Sequence, residues 1–215
     1  YPFRIEVGKG GSGGAKTVTA RAVILSTGAQ ALWLDAEGED TVRGRGISTC
    51  ATCDGAFFKD EDVVVVGGGD AAMEEAVFLT RYARKVTLVH RSDTFRASKI
   101  EYQRAVDHPK IEIKPFRTVK KWTSATKEGA FLPELTGVVL EDPRDGSVEE
   151  LDCSGAFIAI GHKPITAFLD GQVTTDEEGY IVNQEHTMTS VPGVFAAGDV
   201  VDKRYRQAIT VYQPH

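Results

Sequence analysis

Cys50-Ala51-Thr52-Cys53 places two thiols three positions apart, with Asp54 directly behind them. A thiolate in such a pair attacks a disulfide, and a nearby acid can supply the proton that ends the exchange. Asp54 suits that role if partial burial raises its pKa; Asp-Gly is equally a common turn pair. The same two cysteines can bind a metal, but zinc needs two more ligands at suitable spacing. Cys153 stands alone, and His90, His108, His162, His186 and His215 show no paired spacing, so no metal is expected. An inert reduced pair is the remaining alternative to redox chemistry.

A second signal follows closely. Val63-Val64-Val65-Val66 runs into Gly67-Gly68-Gly69-Asp70-Ala71-Ala72, which fits G-x-G-x-x-A. In that pattern Gly67 permits a tight turn and Gly69 lets the backbone approach phosphates. Ala72 keeps the following helix close to the strand. The helix N-terminus contributes free N–H groups and partial positive charge. An ordinary glycine-rich turn between strand and helix gives the same letters, but the valine run and the helix behind it favour a dinucleotide site. Dithiol and glycine turn together suggest electrons entering from a nicotinamide and leaving through a disulfide.

The nucleotide's phosphate is read at the end of the next strand. An NAD site places an acid about 20 positions on, to hold the ribose 2′-OH. Here the chain carries His90-Arg91-Ser92-Asp93-Thr94-Phe95-Arg96. Arg91 and Arg96 match a 2′-phosphate, which favours NADPH over NADH. A solvated basic turn, or Asp93 pairing with one of the arginines, is the competing reading. Gly198-Asp199 closes another apolar strand, where a carboxylate can accept from a ribityl or ribose hydroxyl, or serve as a turn or helix cap.

These groups need elements to hold them. Val18 to Gly28 reads as a strand entering a buried sheet, after a glycine-rich loop at 8–14. Leu32 to Arg45 is polar and glycine-bearing, a linker candidate. Asp62 to Val66, a helix over 71–83 and Lys85 to His90 form a βαβ unit. Further expectations are a helix over 99–106, strands over 111–123, 135–141 and 151–160, and a turn at 143–146. Val194 to Ala197 is a short strand.

The chain has 215 residues, 41% hydrophobic and 26% charged, enough for one large domain or two small ones. A net charge of −6 argues against nucleic acid as the main partner, since phosphate binding needs a basic face. No apolar run approaches the roughly 18 residues that span a bilayer, so no membrane partner is expected. Three cysteines are too few for an oxidised secreted scaffold. The start, Tyr1-Pro2-Phe3, reads like the interior of a longer protein.

Several stretches together closely resemble the low-molecular-weight thioredoxin reductase family. They are Ser26 to Ala29, Gly44 to Ser48 running into Cys50 to Gly55, Gly67 to Glu75, and His90 to Lys99. Ala159 to His162, Thr189 to Asp199 and Tyr205 to Thr210 follow in the family's order. The resemblance implies that Cys50 and Cys53 are the redox disulfide, with Asp54 as acid. It implies an NADPH turn at Gly67, Gly68, Gly69, Asp70, Ala71 and Ala72. His90, Arg91 and Arg96 become the 2′-phosphate cluster, and Ile160 and Gly161 a crossing on the nicotinamide side. Thr27, Gly28, Gly198, Asp199, Arg206, Gln207 and Ala208 become flavin contacts. The implied reaction is NADPH to FAD to disulfide to thioredoxin, in a cytoplasmic homodimer. In the family the NADPH domain rotates against the flavin domain, and 32–45 and 161–167 are the matching hinge candidates.

The fold class this implies is α/β. A Rossmann-like three-layer NADPH-binding domain with a β-meander, over 33–162, is flanked by FAD-domain segments 1–32 and 163–215. The family's N-terminal flavin-binding βαβ unit is absent, and the end after Thr210 departs from it, so the chain reads as a central portion that binds NADPH with weak or no flavin retention and little turnover alone. Ser92 stands where the family has a second arginine; a lost charged hydrogen bond costs about 1.5–3 kcal/mol. Two alternatives remain: the flavoprotein subunit of alkyl hydroperoxide reductase, similar in its core, and a non-catalytic NADPH-binding redox module.

Overall fold

The computed structural model describes residues 2–8 and 16–203. They fall into two compact units, Ala31–Gly161 and the flanking Tyr1–Gln30 with His162–His215.

The central unit is built on the valine run. Asp62–Val66 pairs in parallel with Lys85–Val89 on one side and Gly155–Ile158 on the other. Ile111–Lys114 and Ile47–Ser48 complete a five-stranded parallel sheet as its edges. Alternate valines face opposite layers. Val63 and Val65 pack with Met73, Ala76 and Leu79 of the helix Asp70–Leu79 and with Ala105 of the helix Lys99–Val106. Val64 and Val66 pack with Trp122, Leu135, Val138 and Leu140. Those last residues belong to an antiparallel meander of Thr118–Ala125, Glu134–Glu141 and Val148–Asp152. The result is an α/β unit of three layers. A parallel sheet demands cover on both faces, because βαβ crossings bury it.

Several expected elements are built differently. The strand expected over 111–123 is two, Ile111–Lys114 in the sheet and Thr118–Ala125 in the meander. Pro115 lacks an N–H for a ladder, and Phe116 sits at φ 54°, so the chain turns there. The strand expected over 151–160 likewise divides at Cys153-Ser154. Residues 18–28 divide into Lys16–Ala20 and Val23–Leu25. Finally, 32–45 is no free linker. Val42 is fully buried, Trp33 and Leu34 pack on the core, and the Glu39 carboxylate accepts from Arg43 at 2.8 Å. The segment looks polar because its charges pair with each other.

The expected 71–83 helix ends at Leu79. Lys110 Nζ donates to the carbonyls of Thr80 and Ala83 at 2.9 and 2.8 Å, satisfying groups the helix leaves open.

In the flanking unit, Phe3–Val7 and Lys16–Ala20 form an antiparallel hairpin. Val23–Leu25 pairs in parallel with Val194–Ala196. Leu25, Leu169, Val173, Ile181, Val194 and Val200 form its core. Among the described residues no helix is long and apolar enough to cross a membrane.

Candidate active site

In the five-stranded sheet the chain order reverses beside Asp62–Val66, whose successors lie on one side and whose later partner Gly155–Ile158 lies on the other. Open α/β sheets bind ligands at the carboxyl end of such a strand. The glycine turn sits there, and its three glycines differ in what surrounds them. A Cβ on Gly67 would lie 2.3 Å from the Ala159 carbonyl oxygen and 2.8 Å from Ala72 Cβ. Gly67 and the fully buried Ala72 therefore fix the close approach of helix and strand. A Cβ on Gly68 would strike the His90 ring within 2.6 Å. At Gly69 a Cβ would meet nothing within 4 Å, so this backbone is open to an incoming group. No side chain caps the helix that begins at Asp70. Asp70 itself turns away, its Oδ1 accepting from Ser98 N–H at 2.6 Å, while Ala71 is exposed.

A cavity of about 480 Å³ opens from this turn, lined by Gly67, Gly68, His90, Arg91, Arg96 and Ile160 among others. The loop after the second strand is tied to the turn, since Arg96 and Ala97 N–H donate to the Gly68 carbonyl at 2.8 and 3.1 Å. His90 stacks on Phe95 with centroids 4.7 Å apart, and its Nε2 lies 3.2 Å from the Thr94 carbonyl oxygen. Burial holds the imidazole below its ordinary value; the Thr94 carbonyl opposes this, and the charges of Arg91 and Arg96 add to it. Neither arginine has a side-chain hydrogen bond or ion pair among the described residues. Asp93 does not neutralise them; its Oδ1 accepts from Thr94 Oγ1 at 3.2 Å. Two unpaired guanidinium groups, an open glycine backbone and an uncapped helix suit the phosphates of a dinucleotide.

Cys50 and Cys53 are joined as a disulfide, with Cα atoms 5.3 Å apart. Cys50 caps the short helix Ala51–Asp54, its sulfur accepting from Cys53 N–H at 3.2 Å and lying 3.3 Å from Thr52 Oγ1. Cys53 is exposed, whereas Cys50 and Asp54 are half-buried. The segment leans on the helix Asp70–Leu79: Ala51 is buried with Met73 and Ala76, and a Cβ on Gly55 would meet Leu79 at 3.0 Å. The dithiol and the glycine turn thus share one helix. Among the described residues no three His, Cys, Asp or Glu side chains gather as a metal site. Cys153 is free but buried, and burial pushes its thiol up to about 12.

In the flanking unit, the parallel register of Leu25 with Ala196 brings Thr27-Gly28 and Gly198-Asp199 to the same end of two strands. Gly28 and Gly198 adopt φ 73° and 79°, turns that a side chain would strain. Thr27 Oγ1 is engaged, donating to the Ile165 carbonyl at 2.7 Å. Arg206, Gln207 and Ala208 lie outside the described residues. Gly161, at φ 111°, follows the cavity-lining Ile160.

Leu34, Arg117, Thr118 and Val119 also line the cavity and are not singled out by the sequence motifs. Arg117 follows the Pro115-Phe116 break, which was the available signal.

The Pyridine nucleotide-disulphide oxidoreductase family matches residues 4–213. The thioredoxin reductase of Mycolicibacterium smegmatis is 54% identical over 198 residues, covering 92% of this chain and 61% of that protein. The thioredoxin reductase of Streptomyces clavuligerus is 51% identical over 208 residues, covering 93% of this chain and 62% of that protein. The solved thioredoxin reductase of Streptococcus pyogenes MGAS5005 superposes with a TM-score of 0.79 at 41% identity, covering 91% of this chain and 62% of that one. The chain thus spans about three fifths of the length of these relatives. It belongs to the pyridine nucleotide-disulphide oxidoreductase family.

Proposed function

We propose that this chain serves NADPH-dependent, FAD-containing thioredoxin-disulfide reduction. The observation that carries this reading is the Cys50–Cys53 disulfide packed against the same helix that follows the glycine turn, whose Gly67 and Gly68 line the arginine-bearing cavity. The relatives named thioredoxin reductase support it, and so does the resemblance of the dithiol, glycine-turn and Gly198-Asp199 segments.

In this reading NADPH, when bound, supplies a hydride and FAD passes the electron pair on. The chain's own groups do the rest. The open Gly69 backbone and the helix N-terminus hold the pyrophosphate, and His90, Arg91 and Arg96 hold the 2′-phosphate. By the resemblance, Thr27, Gly28, Gly198 and Asp199 would hold the flavin, and Arg206, Gln207 and Ala208, outside the described residues, are assigned to the same task. Two electrons cleave the Cys50–Cys53 bond and leave two sulfurs. One, as thiolate, attacks the thioredoxin disulfide and displaces one of its sulfurs, forming a mixed disulfide. The second cysteine attacks that bond, restores Cys50–Cys53 and releases the reduced partner. Asp54 supplies a proton to the departing thiolate. The resemblance also supports a cytoplasmic homodimer.

The test is NADPH-driven reduction of thioredoxin by the protein at its full natural length, with FAD present. Turnover is expected, with loss of at least about 1,000-fold in Cys53→Ser because the exchange needs both sulfurs. Undiminished turnover in that variant, or none in the unaltered protein, overturns the reading. Reduction of a peroxiredoxin-system protein in place of thioredoxin would move it to the alkyl hydroperoxide reductase subunit.

A further inference from the structure

Arg117 stands at the start of the meander, where the left-handed Phe116 sends the chain back from the sheet edge. Its backbone N–H donates to the His90 carbonyl at 2.9 Å, so it sits beside the end of the second strand. Its side chain lines the cavity that His90, Arg91 and Arg96 line. Unlike those two exposed arginines, Arg117 is held in place. Nη1 donates to Asp142 Oδ2 at 2.7 Å and to the Phe116 carbonyl at 2.9 Å, and Nε to Glu149 Oε2 at 3.4 Å. Asp142 is itself buried and fixed by Arg144, which stacks over Phe116. Glu149 is fixed by Lys114 at 2.7 Å.

This network uses Nη1 and Nε and leaves Nη2 without a hydrogen bond among the described residues. A planar guanidinium pinned through Nη1 and Nε presents its remaining Nη2 amino group at little further entropic cost. The strand order identifies what it meets. Along the carboxyl ends of adjacent strands come the glycine turn, then His90, then the Ile111–Lys114 edge that leads to Arg117. Neighbouring strands lie about 4.8 Å apart, so Arg117 is two strands, roughly 10 Å, from the pyrophosphate position and one strand from the ribose position. Ser92 cannot fill the place, because its hydroxyl donates to the Thr94 carbonyl at 3.1 Å and lies 3.3 Å from His90 Nε2.

We infer that Arg117 is a specificity-determining residue, a fixed third guanidinium that binds the 2′-phosphate of the adenine ribose alongside Arg91 and Arg96. The inference rests on the NADPH reading above and extends it to a residue outside the glycine and arginine motifs.

Calorimetric titration of the 215-residue chain with adenosine 2′,5′-bisphosphate and with 5′-AMP tests it. The unaltered chain is expected to prefer the bisphosphate, and Arg117→Met to lower that preference about tenfold while leaving 5′-AMP affinity within about twofold. Arg117→Lys keeps a cation against Asp142 and Glu149, and with it the fold, but removes Nη2; it is expected to lower the preference in the same direction. An unaltered chain with no preference overturns the NADPH reading and the inference with it. A normal preference in the unaltered chain that persists in both variants, or equal weakening of both ligands, overturns the role of Arg117 alone.

Discussion

The central and flanking units contain similar apolar strands but hold them differently. In the central unit every residue of Val63–Val66 is buried, alternate valines meeting helices on one face and the meander on the other. In the flanking unit Val23–Leu25 pairs with one strand, and Ile24 remains 71% exposed. Strand sequence sets the capacity to bury both faces; the cover determines whether that capacity is used. The glycine turn and the dithiol sit on the fully covered frame, where rigid strand ends can fix geometry to within a fraction of an ångström.

Within the glycine turn, packing and open backbone lie two residues apart. Gly67→Val would push a side chain into Ala159 and Ala72, and about 3 kcal/mol of stability should be lost. Gly69→Ala meets open space, and its unfolding free energy should change by less than about 0.5 kcal/mol while nucleotide affinity falls several-fold. Denaturant titration and ligand titration read the two effects separately. Equal stability losses would remove the distinction between packing and ligand glycines.

Next comes the contrast between units. Val65→Ala deletes two methyl groups from a fully buried site and should cost about 2 kcal/mol. Ile24→Thr, at a mostly exposed site, should cost under about 0.5 kcal/mol in chemical denaturation. A larger effect at Ile24 would show that the flanking face is covered in solution.

The smallest effect at neutral pH belongs to Cys153. Its thiol is raised from 9.0 to about 12 by burial, chiefly, and then by Asp152 and Asp62. The unfolded chain releases this proton first, so the group costs nothing below pH 9 and destabilises the fold progressively as pH rises toward 12. Cys153→Ala should flatten that alkaline decline in pH-dependent melting. A thiol reagent should find no reactive cysteine in the folded oxidised chain, since Cys50 and Cys53 are bonded and Cys153 is buried. Rapid labelling would contradict that burial.

Much of the frame was legible because local rules and tertiary demands agree there. The helix Lys99–Val106 appears with the bounds the sequence suggests, and Ser98 accepts from Glu101 N–H at 3.3 Å as an N-cap should. The valine run and glycine turn were legible because their spacing is itself the requirement for a strand, a tight turn and a helix. The breaks at 115–116 and 153–154 were harder. Residues on both sides favour strands, and only the partner sheet decides which half goes where. Residues 32–45 misled because composition counts charges without showing that Glu39 and Arg43 neutralise each other over a buried Val42.

By itself the sequence determined the dithiol, the glycine turn and the basic strand end, because each depends on residue type at short separation. Tertiary structure alone decided that Arg117, distant from the glycine turn in sequence, lines the same cavity. It also decided that Gly67 packs while Gly69 stays open. The physical reason is that convergence and free space arise from which strand ends lie side by side and what covers them, and neither is encoded in the spacing of neighbours along the chain.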